Sequence, residues 1–208
     1  MLQIIPALLV AITVVIQCLA VQMSRYRLSR MNARPPHHGL ALMSGMLAAA
    51  AIILRLYQND SAVGVLFMTI MTGCMTLMTL TDAASCRLPR PFTIMYLISG
   101  SAFRLWQGHW LTGLCSAGFW FLLLLLFRQY TSYRRKTETI GLGDVFLIAG
   151  IAIWSPPGDI PWIVATAAGG ALLYLWCNRQ RRITRELPFG PFLCASQYAF
   201  TFYPGGLW

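Results

Sequence analysis

The most constraining feature of the sequence is a succession of apolar stretches that together occupy most of the chain. A helix that spans a bilayer needs about 20 mainly apolar residues, and fewer where its ends lie inside protein. Eight stretches meet this description, at residues 2–22, 39–57, 61–81, 91–106, 110–127, 142–155, 160–177 and 188–205. The sixth is short and the fourth is marginal, so seven spans remain an alternative. The pattern predicts an all-α fold, a polytopic membrane bundle of about eight transmembrane helices that forms a single domain over residues 1–208.

The composition agrees with a membrane protein. The 208 residues are 57% hydrophobic and 11% charged, which is too little polar surface for a soluble domain of this size. A net charge of +10 can indicate nucleic-acid binding, but here the basic residues form short clusters between apolar stretches, as topology signals do. The six cysteines are scattered without a C-x-x-C pair, so we expect reduced, packed thiols, no metal site and no cofactor.

The basic residues also predict the orientation of the helices. All sixteen lysines and arginines except Arg55 and Arg104 fall in the first, third, fifth and seventh linkers, which therefore should face the cytoplasm. The linkers of the opposite side resemble tight turns, at 58–61, 107–109 and 155–159. Indole rings commonly anchor at the headgroup level, which is expected of the tryptophans near these turns: Trp106, Trp110, Trp154, Trp162 and Trp208.

Two of the six acidic residues lie at the cytoplasmic ends of apolar helices. Asp82 ends the predicted third helix, and Asp144 begins the predicted sixth, so both are expected at one membrane depth. A carboxylate at such a place is costly unless it has a partner or a task. Two neighbouring carboxyl groups cannot both ionise easily, so one can take a proton from water while the other donates one to a carbonyl oxygen. The pair predicts an aspartic protease site, although Asp144 could instead be an ordinary helix cap.

Gly141 and Gly143 precede Asp144 in the stretch "GLGD". Glycine adopts backbone conformations that other residues avoid and lets another backbone approach closely. Both glycines are therefore candidates for shaping the site, and the alternative is that they are ordinary helix-packing residues.

Three stretches together resemble the type IV prepilin peptidase family of membrane aspartic proteases. The stretch "TDAASCRLPRPFT" is similar to the family's first catalytic motif, with Asp82 and Pro89 at the matching positions, and "GLGDVFLIAG" is similar to the G-x-G-D motif of the second aspartate, Asp144. The stretch "LPFGPFLCAS" resembles the family's C-terminal signature, which begins here with Pro188, Gly190 and Pro191. The resemblance covers roughly residues 60 to 205.

The resemblance implies an enzyme of the bacterial inner membrane that removes the short basic leader of prepilins or pseudopilins at the cytoplasmic face. Many family members carry a zinc-binding domain with an N-methyltransferase activity after the first helix. Residues 23–38 contain no cysteine and are too few for such a domain, so we expect a peptidase without methyltransferase activity. Two further departures are Ala84, where the family often has a second acid, and Phe146, where many members have lysine.

Other readings remain open at this point. A small transporter or channel could use the two aspartates for ion coupling, although such acids tend to lie near the bilayer midplane on repeated broken helices. A G-x-G-D protease could act on other membrane substrates, such as archaellin-like precursors. A scaffold without activity is a third alternative. The partners expected are a prepilin or pseudopilin and the lipid bilayer, with no nucleic acid, and the sequence does not determine the oligomeric state.

Overall fold

A computed structural model describes residues 4–31, 38–57, 61–135, 141–177 and 187–201. Within these ranges the chain forms eight helices and no strand. The helices are α1 (Ile4–Arg30), α2 (His38–Tyr57), α3 (Ala62–Ser85), α4 (Arg90–Trp106), α5 (Trp110–Arg135), α6 (Leu142–Trp154), α7 (Ile160–Cys177) and α8 (Gly190–Thr201). The predicted all-α membrane bundle is confirmed. The basic linkers 32–37, 136–140 and 178–186, most of the 58–61 turn and Trp208 lie outside the described residues.

Two helices run further than their apolar stretches. The sequence predicts that α1 ends near residue 22 and α5 near residue 127, but the helices continue to Arg30 and Arg135. Arginine is a good helix former, so a helix does not have to end where its apolar stretch ends. In α1 the extension also makes a contact, because the Arg27 guanidinium lies 4.7 Å from the ring centre of Phe92 at the start of α4.

The centre of the bundle is α3, which packs against α1, α2, α4 and α8. Its threonines and methionines are buried on all sides, and hydroxyl groups join it to its neighbours. Thr69 hydrogen-bonds Thr13 of α1 at 3.2 Å, and the Tyr198 hydroxyl of α8 donates to the Thr72 carbonyl at 3.2 Å. Such interhelical hydrogen bonds stabilise membrane bundles. The hydrophobic effect does not drive helices together there, because lipid is as apolar as the surface of a neighbouring helix. Both bonds lie in the amino-terminal half of α3 and join this half to α1 and α8.

Among the residues that the structure describes, four helices are long and apolar enough to cross a bilayer by themselves: Leu8–Arg30, Ala62–Ser85, Trp110–Arg134 and Ile160–Cys177. The helix α6 is shorter, with 13 residues, or about 20 Å at 1.5 Å per residue. That is less than the roughly 30 Å of a hydrocarbon core. From Leu147 to Trp154 every residue of α6 is buried, so protein rather than lipid surrounds it.

Two predicted turns are confirmed, and one predicted lipid anchor is wrong. The chain turns at 107–109, where Gly108 has φ 79°, and again at 155–159. Trp154, expected at the headgroup level, is completely buried; its Nε1 donates to the Tyr96 carbonyl at 3.1 Å, and its ring stacks on Phe103. The sequence placed Trp154 correctly along the helix axis, but only the packing of α6 between α4 and α5 decides that its ring points inward.

Candidate active site

Asp82 lies in the last turn of α3 and is held by the first residue of α8. Its side chain is buried, and its carboxylate Oδ2 accepts a hydrogen bond of 2.8 Å from the backbone N–H of Gly190. The N–H groups of a first helical turn have no partner within the helix, and the helix dipole favours a negative charge there. The start of α8 therefore both positions and stabilises the Asp82 carboxylate.

Gly190 is the residue that makes this contact possible. A β-carbon at position 190 would lie 2.7 Å from Asp82 Oδ2 and 3.2 Å from its Cγ, closer than atoms can approach without displacement. The sequence marked Gly190 as part of a motif. The sequence could not predict that Gly190 contacts Asp82, because the two residues are 108 positions apart in the chain.

Asp144 occupies the first turn of α6, which begins at Leu142. The sequence suggested that Gly141 and Gly143 provide both an unusual backbone conformation and space for a close approach, and the structure agrees only with the second. Gly141 has φ −66° and ψ 137°, values open to any residue, so unusual backbone conformation is not its contribution. What both glycines provide is space. A β-carbon on Gly141 would lie 3.3 Å from Asp144 Oδ2, and one on Gly143 would lie 2.8 Å from Cβ of Leu88.

The structure brings the two aspartates to one cavity. Asp82 and Asp144 both line a cleft of about 850 Å³, and they are close enough for their charges to interact. Within the described part of the chain, neither carboxylate has an arginine or lysine as an ion-pair partner. Two nearby carboxyl groups that share a cleft with room for a peptide can divide the roles of general base and general acid.

The rim of the cleft contains basic residues that the sequence assigned only to topology. Arg87 and Arg90 are exposed and line the cleft beside the aspartates. They flank the short linker between α3 and α4, which turns sharply because Cys86 adopts the left-handed conformation with φ 50°. Their position near the cleft could have been predicted from their spacing from Asp82, because so short a linker keeps both arginines close to the end of α3.

The remaining candidate residues contribute to the site in different ways. Leu187 and Phe189 line the cleft, whereas Pro188, Pro191 and Pro89 do not. The helix α8 begins at Gly190 rather than at residue 188, so Pro191 lies in its first turn and Pro188 precedes the helix. Pro89 precedes α4, and its carbonyl accepts the N–H of Phe92 at 3.0 Å. The three prolines therefore shape the segments that hold the site.

The deeper walls of the cleft are apolar. Phe146 lines it and packs against Phe121 of α5, with 5.3 Å between ring centres, and further walls are formed by Leu124, Ile148 and Val164. No cluster of three metal-ligating side chains occurs among the residues that the structure describes.

Comparison with known proteins gives one family and two curated relatives. The sequence model of the type IV leader peptidase family matches residues 69–176, a segment that contains both aspartates. Two proteins of Burkholderia pseudomallei, from strains 1026b and K96243, are each named prepilin leader peptidase/N-methyltransferase and are 33% identical to this chain over 175 residues. The match covers 79% of this chain and 53% of each relative, so the chain spans about half the length of the curated relatives it matches. No solved structure gives a significant match.

Proposed function

Because the chain belongs to the type IV leader peptidase family, we propose that it is a prepilin peptidase. It hydrolyses the peptide bond between the short basic leader and the hydrophobic segment of a prepilin or pseudopilin. The observation that carries the proposal is the pair Asp82 and Asp144 on one cleft, each at the end of a helix that meets a basic linker. Acids used for ion coupling in transporters tend to lie near the midplane instead.

The two aspartates take different roles in the proposed reaction. Asp82 accepts the Gly190 N–H, a bond that favours a charged carboxylate, so Asp82 acts as the base. It takes a proton from a water molecule whose oxygen attacks the scissile carbonyl carbon, while Asp144 gives its proton to the carbonyl oxygen. When the tetrahedral intermediate collapses, Asp82 gives its proton to the leaving nitrogen, the C–N bond breaks, and one hydroxyl group of the intermediate returns a proton to Asp144. The products are the leader carboxyl group and a new amino terminus.

The cleft faces the cytoplasm of a bacterial inner membrane in this proposal. Asp82, Asp144 and the rim arginines share the side to which the sequence assigns almost all basic residues. The relatives' names include a methyltransferase activity, but the linker between α1 and α2 has room for only seven residues, 31–37. We therefore expect the new amino terminus to leave the enzyme unmethylated.

The test is co-expression of the protein with a panel of tagged prepilins. Leader removal is read by gel shift, and the mass of the new amino terminus reports both the cleaved bond and any methylation. The variants Asp82→Asn and Asp144→Asn should each lower cleavage by about 10²–10⁴-fold, the usual contribution of general acid–base catalysis, because neither amide can perform the proton transfer.

Asp159→Asn is the matched control, because Asp159 lies in the turn 155–159 at the opposite end of α6. It should cleave like the wild type, and all three variants should reach the membrane in equal amounts. Cleavage at more than a tenth of the wild-type rate by either Asp82→Asn or Asp144→Asn would remove that aspartate from the mechanism.

A further inference from the structure

The helices around the cleft form two pairs that separate from each other. The helix α5 packs closely along α6, and α7 packs along α8. The two pairs join beside the turn 155–159, where Ile160 of α7 shares a buried cluster with Ala117 of α5 and Ala152 of α6. No described Cα atom of α5 lies within 8 Å of one of α7. The separation leaves an opening, here called the α5–α7 slot, which is lined by Leu124, Phe146, Ile148 and Val164.

The slot faces lipid at its outer edge. In α5 only 17% of an apolar segment of 18 residues is buried by the rest of the protein, and in α7 the share is 22%. The corresponding share in α3 is 67%. Of the four described helices long enough to span a bilayer, the two beside the slot are thus the ones that the bundle covers least. A molecule that moves within the bilayer can approach the slot without passing through water.

The slot is continuous with the two aspartates. Leu124, Ile148 and Val164 line the same cleft of about 850 Å³ as Asp82 and Asp144. Ile148 lies one helical turn beyond Asp144, about 6 Å deeper into the bundle. Leu124 is eleven residues from the cytoplasmic end of α5, or about 16 Å along that helix. The cleft therefore runs from a charged mouth down to an apolar wall at the depth of the bilayer.

We propose that the α5–α7 slot is the lateral path by which the apolar segment of a single-span substrate reaches Asp82 and Asp144 from the bilayer. The inference rests on the proposed function and names the face of the enzyme that meets the substrate. The first few residues after the scissile bond occupy the slot, and the rest of the substrate helix stays in lipid at the outer edge of the slot.

The chemistry of the cleft selects this occupant. A basic leader is repelled by Arg87 and Arg90 at the mouth and gains nothing from the walls formed by Leu124, Phe146 and Val164. An apolar chain gains by filling these walls, at roughly 25 cal/mol for each Å² buried. A volume of about 850 Å³ is typical of a ligand pocket and too small for a whole membrane-spanning helix, so only the end of the helix beside the cleaved bond enters.

Photo-crosslinking tests the path directly. The photoreactive amino acid p-benzoylphenylalanine is placed at position 124 or 164 in the Asp144→Asn background, with a tagged prepilin that the wild-type enzyme cleaves in the same cells. The matched controls carry it at position 122 of α5 or 172 of α7, where the leucine side chains are 59% and 66% exposed and do not line the cleft. We expect prepilin adducts from positions 124 and 164 in at least about fivefold excess over the controls.

Leu124→Trp and Leu122→Trp provide a second, functional comparison. The indole at position 124 fills the slot, so prepilin cleavage should fall by about tenfold or more, whereas Leu122→Trp should cleave like the wild type. Equal crosslinking from positions 122 and 124, or equal activity of the two tryptophan variants, would contradict the proposed path through the slot. Neither result would contradict the proposed peptidase function. A wild-type enzyme that cleaves no prepilin would overturn the proposed function and the inference with it.

Discussion

The two ends of α6 are built in opposite ways. At its carboxyl end, the buried Arg104 guanidinium donates from Nε to the Ile153 carbonyl at 2.8 Å and from Nη2 to the Trp154 carbonyl at 3.3 Å. At its amino end, Asp144 points into a cleft and has no arginine or lysine partner among the described residues. We call these the closed end and the cleft end of α6.

The difference shows how one short helix can be both anchored and reactive. The last carbonyl groups of a helix have no partner within it, and in a membrane their burial is costly. A cation at this terminus also interacts favourably with the helix dipole. Arg104 satisfies these groups at the closed end, so the position of α6 does not depend on contacts made by Asp144. The carboxylate at the cleft end is left available for chemistry on a rigid support.

Glycines serve opposite purposes at the two ends. At the closed end, the Trp154 ring packs directly against Gly100. A β-carbon at position 100 would lie only 2.7 Å from Trp154 Nε1. At the cleft end, Gly190 and Gly141 leave room beside the carboxylates of Asp82 and Asp144. The same residue type closes the packing in one region and makes space for reactive groups in the other.

Gly190→Ala should have the largest effect of the changes that test this comparison. Its β-carbon would displace the Asp82 carboxylate, and a misplacement of about 1 Å can cost roughly 10²-fold in rate. We expect kcat for prepilin cleavage to fall by about that factor with KM little changed, because Gly190 positions Asp82 and does not bind substrate.

Gly118→Ala is the control for this substitution, because a β-carbon there meets nothing within 4 Å. A rise in KM with an unchanged kcat for Gly190→Ala would mean that Gly190 acts in substrate binding instead.

Arg104→Met should destabilise the protein through the closed end. It removes two hydrogen bonds from a charged group to buried carbonyls, so we expect the free energy of unfolding to fall by about 1–3 kcal/mol. The measurement is denaturation in mixed detergent and SDS micelles. Arg134→Met, at an exposed position on α5, should change the free energy by less than about 1 kcal/mol. Equal losses in the two variants would show that Arg104 does not anchor α6.

Cys86→Gly should have the smallest effect, and in the opposite direction. Cys86 ends α3 at the cleft end with φ 50° and ψ 30°, a left-handed conformation that costs a residue with a β-carbon roughly 1–2 kcal/mol. Glycine avoids this cost but gains freedom in the unfolded chain, so the free energy of unfolding should rise by at most about 1 kcal/mol.

Cys115→Gly is the matched change within a helix, since Cys115 lies inside α5. It should lower the free energy of unfolding by roughly 1 kcal/mol. A loss of stability in Cys86→Gly as large as that in Cys115→Gly would mean that the left-handed residue is not strained.

The sequence alone determined the class of fold and the approximate positions of eight helices, and it predicted that Asp82 and Asp144 lie at one membrane depth. These follow from the lengths of the apolar stretches and the distribution of charge, which the bilayer requires of any chain that crosses it. The catalytic role of the two aspartates stays a prediction. The sequence could not give the ends of α1 and α5, because a bilayer constrains only the residues within it.

Only the tertiary structure decided which side chains meet. The contact of Gly190 with Asp82, the inward ring of Trp154 and the cap that Arg104 places on α6 join residues 49 to 108 positions apart. Apolar periodicity cannot specify such contacts, because lipid and a neighbouring helix are equally apolar surroundings for a side chain. Close packing and the need to satisfy buried polar groups select among them, and both arise only when all the helices are assembled.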